Sequence, residues 1–344
     1  MSTVLRTGPI PLLHSDSSHP REDKRRSMLF RRSLPTLEFE PFVRLNVLVP
    51  ALVAVCALSA CSVRQVALNQ AADALAGSGT SFASDDDPEL IRDAAPFSLK
   101  LMDSVLEDNP KHVGLLTAAA KGYTQYAFAF VQQDGEEIED TDLAQATQRF
   151  DRARRLYLRA RRYALRGLDS AHLGMVAALE HDPRIAVKQA QPQDVPLLYW
   201  SAASTGGWIG LSKDDATAVA QVPVMEALID RALELDESWD KGAIHTFLIS
   251  YELVRAQRGT DPVARSRAHF ERAVALSHGK QAAPYVALAE SVSVSQQNRA
   301  EFEHLLQQAL AVDIEAEPES RLANIVMQRR ARWLLSRTDQ LFTE

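Results

Sequence analysis

Among 344 residues this chain has only two cysteines, Cys56 and Cys61. That is too few for a disulfide framework or a multi-thiolate metal site. No His-Glu-x-x-His, no Gly-x-Ser-x-Gly and no glycine loop followed by Lys-Ser/Thr occurs, so the common zinc-protease, serine-hydrolase and P-loop chemistries have no footing. The nine histidines are scattered, and no two stand at metal-ligand spacing on one helix face. Strand-like alternation is scarce. The longest apolar run, Leu45 to Ala60, is interrupted by Asn46 and Pro50 and falls short of the roughly 20 residues a membrane span needs. An enzyme is not expected, nor a cofactor, nor a bound metal.

The apolar run is informative for its neighbours. Arg31, Arg32 and Arg44 precede it, and Leu58-Ser-Ala-Cys61 closes it. Positive region, apolar stretch and small residues, in that order, form a secretory leader. A cysteine directly after small residues resembles the lipobox of bacterial lipoproteins, which implies that Cys61 is acylated and the leader cut before it. The alternative reading of the run is a short span or a buried core segment. Several acyl chains on one residue suffice for stable anchoring. Ser62, rather than Asp, resembles the sorting signal for the outer membrane, so the expected location is its periplasmic face. Asp16, Glu22, Asp23, Glu38 and Glu40 fit poorly in a leader, and residues 1–27 at least are read as lying upstream of the true start. Residues 1–60 hold eight of the 38 Lys and Arg and five of the 45 Asp and Glu; the remainder carries 30 basic and 40 acidic residues, a net charge of −10. Such an acidic body opposes nucleic-acid binding, which depends on neutralising phosphates.

The chain therefore divides into a leader region, 1–60, a lipidated tether, 61–87, and a helical domain, 88–344. Gly77 to Ser84 is rich in small residues, and Asp85-Asp-Asp-Pro88 is a helix start: acidic groups favour that end and proline suits its first turn. Beyond it Ala, Leu, Arg, Glu and Gln dominate, and the fold class is all-α. Ile229-Asp-Arg-Ala232-Leu-Glu-Leu-Asp236 is echoed by Phe270-Glu-Arg-Ala273-Val-Ala-Leu-Ser277 and Leu306-Gln-Gln-Ala309-Leu-Ala-Val-Asp313, with an earlier opening at Phe150-Asp-Arg-Ala153. The alanines lie 79, 41 and 36 residues apart. A period of roughly 34–45 residues with two helices per unit points to degenerate tetratricopeptide-like hairpins; a plain helical bundle is the alternative. Glu319 to Phe342, with Arg321, Arg329, Arg330, Arg332 and Arg337 around an apolar stripe, reads as a polar-faced terminal cap.

Four patterns could contact a ligand. A long helix from Asp142 to Leu168 carries Arg152, Arg155, Arg159, Arg162 and Arg166 at steps of three and four, one continuous stripe. It reads as a contact for an anionic ligand or acidic partner, or as a solvated face paired with acidic neighbours. Val195 to Gly210 contains Tyr199, Trp200 and Trp208 among small residues, and its glycines need a packing or functional reason. His245 sits in the apolar stretch Gly242 to Tyr251, and Tyr123, Tyr126, Phe128 and Phe130 make an aromatic-rich helix. The expected ligand cavity is lined by Tyr123, Tyr126, Tyr199, Trp200, Trp208 and His245. Against each stands core packing, the commoner fate of aromatic side chains and of a lone histidine.

Lipobox, tether, the opening Ala94-Ala-Pro-Phe97-Ser-Leu-Lys-Leu-Met-Asp-Ser-Val-Leu-Glu-Asp-Asn-Pro110 and degenerate hairpins together resemble the T-component (TatT) family of tripartite ATP-independent periplasmic (TRAP) transporters. So do Phe150-Asp-Arg-Ala-Arg-Arg-Leu-Tyr157, Tyr199-Trp200-Ser-Ala, and Leu233-Glu-Leu-Asp236 followed by Gly242-Ala-Ile-His245. The resemblance spans about residues 61 to 340. It implies a periplasmic lipoprotein that assembles as a homotrimer and works beside the solute-binding protein of a TRAP system. It also implies a pore or cleft through each subunit for a small carboxylate or hydrophobic molecule. Ser204-Thr-Gly-Gly207 departs from the pattern in being smaller. A protein-only envelope scaffold is the alternative function.

Overall fold

The structure, a computed structural model, describes residues 66–77, 79–256 and 261–343, and every regular element among them is helical. The leader, Cys56 and the lipobox Cys61 lie outside the described residues. A helix over residues 66–77 (α1) and a turn of helix, Gly79–Ala83 (α2), precede α3 (Pro88–Asp108) and α4 (Val113–Ala127). Helix α4 runs through a π-helical turn, Phe128–Gln132, into α5 (Gln133–Ile138). Next come α6 (Leu143–Ala171), α7 (Met175–His181), α8 (Pro183–Ala186), α9 (Val195–Gly210), α10 (Ala216–Val219), α11 (Val222–Leu235) and α12 (Trp239–Tyr251). The C-terminal part holds α13 (Pro262–Leu276), α14 (Ala283–Leu288) with a second π-turn, Ala289–Ser293, then α15 (Arg299–Ala311), α16 (Arg321–Ser336) and α17 (Thr338–Leu341).

Local chemistry sets the helix ends. The Asp87 carboxylate accepts from the Glu89 and Leu90 amides, each at 3.0 Å, with Pro88 at the first helical position. Asp142 caps α6 by accepting from the Gln145 amide at 2.9 Å. Each cap satisfies amides that a helix start leaves unpaired. At the echoed positions, Ala153, Ala232, Ala273 and Ala309 are all fully buried, as close helix packing requires. Asp236 and Asp313 end their helices with Asx turns, accepting from the amides two residues on. Helix α6 packs on α4 and α9, α9 on α11, α12 on α13 and α14, and α15 on α14 and α16. Each long helix thus leans on its predecessors in the chain.

Two expectations are revised. The segment 61–87 was expected to be a coil tether, but its described part is largely helical: Ala72 is fully buried, and Leu75 and Phe82 pack on the same core. The amide of Asn109 donates to Asn69 at 2.7 Å, and His112 lies 3.2 Å from Asp73. Apolar contacts and these polar ties outweigh the chain entropy a free tether would keep. Of the five arginines read as a polar-faced cap, Arg332 is exposed, but the other four are tied to neighbouring elements. Helix α16 packs on α2 and α3, where Arg329 pairs with Glu137 at 2.9 Å and Glu89 at 3.3 Å. Arg337 pairs with Asp140 at 2.8 Å, and Arg321 donates to the Ser84 carbonyl at 2.9 Å. Arg330 is buried between Glu136 and Glu290. The C-terminal helix therefore closes against the N-terminal ones.

The small residues of α9 are explained by packing. A Cβ on Gly207 would lie 2.6 Å from the Tyr157 ring of α6, and one on Gly206 would lie 3.2 Å from Phe247 of α12. The Ser204 and Thr205 hydroxyls donate back to the Trp200 and Ser201 carbonyls. These side chains are small because two helices cross there.

Candidate functional site

The six residues expected to line one cavity are distributed. Tyr123, Tyr126 and Trp208 are buried in the core formed by α3, α4 and α6. Trp200 packs against Ala120 and Ala164, with Tyr199 and Trp239 beside it. The Tyr199 ring lies 4.9 Å from Trp200 and 4.7 Å from Trp239, an aromatic cluster that sequence reading missed because Trp239 stands outside the α9 segment. His245 is buried elsewhere, between α12 and α13. Of the six, Tyr123 and Tyr126 touch the arginine stripe, accepting from Arg159 and Arg152 at 3.3 Å each, and Tyr123 also donates to a buried carboxylate.

That carboxylate is Asp103, the residue on which the polar side of α3, α4 and α6 converges. It accepts from Lys100 at 2.7 Å, from the Tyr123 hydroxyl at 2.9 Å and from the Tyr163 hydroxyl at 2.5 Å, with Arg159 at 3.5 Å. Burial works to raise its pKa, but the hydrogen bonds from Lys100, Tyr163 and Tyr123 prevail and hold it below the ordinary range. Burial, together with this carboxylate, pushes the Tyr123 phenol up to about 12. Above Asp103 opens a cleft of about 370 Å³, whose walls include Lys100, Asp103, Arg159, Arg162, Tyr163 and Arg166. Arg166 stands with its guanidinium carbon 5.2 Å from the Tyr163 ring centroid.

The stripe thus splits along its length. Arg152 donates to the Tyr126 hydroxyl at 3.3 Å, and Arg155 is exposed on the same stretch of α6. Arg159, Arg162 and Arg166, about one, two and three turns beyond Arg155, enter the cleft. Sequence spacing placed the five on one face. Lys100, Asp103 and Tyr163, which complete the site, carried no signal beyond an i, i+3 charge pair on α3.

A second polar cluster surrounds His245. Its Nδ1 lies 2.8 Å from Nδ1 of His269 on α13, and its Nε2 lies 3.2 Å from Glu237. Glu237 is paired with Arg272, which, with His245, brings its carboxyl down to about 2. An ionised Glu237 accepts from His245 Nε2–H, so His245 Nδ1 carries the lone pair and accepts from His269 Nδ1–H. Both imidazoles are then neutral. Before this cluster Asp240, Lys241 and Gly242 all have positive φ, at 47°, 57° and 85°. Lys241 is held there by Glu317 and Glu319, ties that sustain an otherwise unfavourable backbone. Among the described residues no group of three or more His, Cys, Asp or Glu is arranged to hold a metal ion.

Comparison with known proteins places these features in a family. A family model described as TRAP transporter T-component matches residues 84–342, from the approach to α3 through α17. The chain is also 27% identical over 267 residues to an uncharacterized protein of Treponema pallidum (strain Nichols), covering 76% of this chain and 83% of that protein.

Proposed function

The chain belongs to the TRAP transporter T-component family, and on that basis we propose that it is the binding or assembly component of a TRAP transport system, held at the periplasmic face of the outer membrane by a lipidated Cys61. The family match from α3 through α17 carries this reading; the leader and lipobox in the sequence support the anchor. The periplasmic solute-binding protein of the same system is the proposed partner, and the homotrimer implied by the family is the proposed assembly. An apolar stripe on α3 supports burial of that face in a protein contact. Leu90, Phe97 and Leu101 recur at helical spacing and are 56%, 74% and 41% exposed, an arrangement that marks interaction surfaces. The arginine stripe is the proposed contact for an anionic ligand, with Tyr123, Tyr126 and Tyr163 its aromatic neighbours.

Co-purification tests the reading. Full-length chain expressed with the solute-binding protein of its transport system is expected to capture that protein, and native mass spectrometry to show a trimer that Phe97→Glu dissociates. Cys61→Ser is expected to move the chain from the membrane to the soluble fraction. Failure to capture the solute-binding protein, with the trimer intact, would favour the scaffold alternative.

A further inference from the structure

We propose that the helical domain rests on the bilayer surface by one end, with its acidic end turned away. The membrane-facing end carries the start of α1, the α3–α4 connection and the C-terminus of α6. The proposal rests on the lipidated-anchor reading, and the packing of the helices supplies the orientation.

The anchor is short. Cys61 stands five residues before Val66, the first residue of α1. Five residues span at most about 18 Å when fully extended. The headgroup layer on one side of a bilayer takes up roughly 5–8 Å of that reach. Val66 is therefore held within roughly 10–13 Å of the headgroup surface, little more than the Debye length of about 8 Å at physiological salt. Helix α1 is itself docked on the body. Ala72 is fully buried, Asn69 accepts from Asn109 at 2.7 Å, and Asp73 lies 3.2 Å from His112. The order of these ties puts the start of α1 beside the end of α3.

Helix directions show what else shares that level. Helices α3 and α6 run the same way. Arg92 and Arg149, early in each, both pair with Asp134. Further along, Asp103 meets Arg159 and Tyr163, and Glu107 and Pro110 line one cleft with Arg166. Helix α9 runs back, Leu197 against Gly167 and Gly207 against Tyr157. The loop after α6, His172 to Gly174, thus lies at the same end as Asn109 and Val66.

The two ends differ in chemistry. At the near end Leu173 is 90% exposed, and Val66 and Val113 are exposed as well. Asp169 accepts from the Gly174 amide at 3.0 Å, so Leu173 is displayed by a built turn. Charge there is mixed, with Lys111, Arg162 and Arg166 set against Glu107, Asp108 and Asp169. Apolar area and cations together are what a lipid interface with anionic headgroups rewards. The far end has one sign. Residues 85–91 and 134–142 hold ten Asp and Glu and no Lys or Arg. Arg330, Arg329 and Arg337 pair with Glu136, Glu137 and Asp140, yet Asp86, Asp87, Glu139 and Asp142 stay exposed. Anionic headgroups repel that end, about 40 Å away along α6.

The acylated full chain, reconstituted in vesicles of phosphatidylethanolamine and phosphatidylglycerol, tests the orientation. Once the leader is cut, the acylated Cys61 is the sole cysteine. A fluorophore can then be placed singly by Ala171→Cys at the near end or Glu139→Cys at the far end, both exposed positions. A nitroxide on the lipid headgroup is expected to quench the first at least about threefold more than the second, given the length of α6 between them. The unaltered chain gives a second measurement. Photo-crosslinkers on the headgroups are expected to label residues 66–70, 108–113 and 171–174 and to spare 134–142. Equal quenching at both positions, stronger quenching at Glu139→Cys, or labelling of 134–142 overturns the orientation. So does loss of quenching at Ala171→Cys when the solute-binding protein is added, which would make that end a protein contact. Mass spectrometry of the same chain separates orientation from anchor. A Cys61 without acyl groups overturns both readings, whereas an acylated chain with equal quenching overturns the orientation alone.

Discussion

His245 and His269 meet Nδ1 to Nδ1 at 2.8 Å, a contact that tolerates one proton between them and not two. Burial lowers both pKa values from 6.5; for His269 the neighbouring His245 lowers it further. Glu237 and Arg272 face the pair from one side, and Glu252, Arg255 and Arg265 act on His269 from the other. Because the folded pKa values lie below the unfolded ones, the unfolded chain takes up protons first as pH falls. Stability is therefore full above about pH 6.5 and declines as pH drops below it. Thermal unfolding is expected to occur at a Tm lower by a few degrees at about pH 5.5 than at about pH 7.5, and His269→Gln to flatten that slope. An equal slope in the variant would assign the loss to other groups. Arg166 makes the complementary case: its Nε and Nη2 are buried without a hydrogen-bond partner, and a cation partly out of water and unpaired costs stability. Arg166→Met is expected to raise the Tm of the chain by about 2 °C, on the order of 0.5–1 kcal/mol, read by differential scanning calorimetry.

Elements were the scale at which sequence patterns carried furthest, and their failures are as physical as their successes. The arginine stripe and its alanine neighbours predict a helix from Asp142 to Leu168, and α6 spans Leu143–Ala171 because cap, periodicity and propensity agree. The helix over 66–77 is held by burial of Ala72 and by Asn109 and His112 in the connection between α3 and α4. The glycines of α9 were visible as an anomaly, but their cause lay on another helix. Gly207 admits the Tyr157 ring, whose hydroxyl donates to Gln132 at 2.7 Å. Gly207→Ala is expected to destabilise the chain by about 1–3 kcal/mol despite the gain in helix propensity, seen as a lower denaturation midpoint. A neutral or stabilising effect would mean that Tyr157 moves freely.

For the molecule as a whole, the decisive feature is closure of the last long helix on the first ones. Arg330 is 6% exposed, donating to Glu136 at 2.6 Å and to Glu290, residues of α5 and of the second π-turn. Burial alone would lower its pKa, but Glu290 and Glu136 raise it above the ordinary arginine value, so the charge persists. Arg330→Met leaves two carboxylates facing each other and is expected to cost about 3–5 kcal/mol. Amide exchange is expected to quicken in α3 and α5 as well as in α16, because one closure holds both ends. Exchange that rises in α16 alone would show the ends to be independent.

The sequence by itself determined the helical class, the capped starts of α3 and α6, and the common face of the five arginines, since each follows from spacing within some thirty residues or fewer along the chain. The family resemblance was readable too, in short stretches of ordinary local chemistry. Only the tertiary structure decided which arginines matter. Asp103 and Arg159 are 56 residues apart, His245 and His269 are 24 apart, and Arg330 and Glu136 are 194 apart. No local rule relates such pairs, because a charge finds its partner by the packing of helices and not by their period.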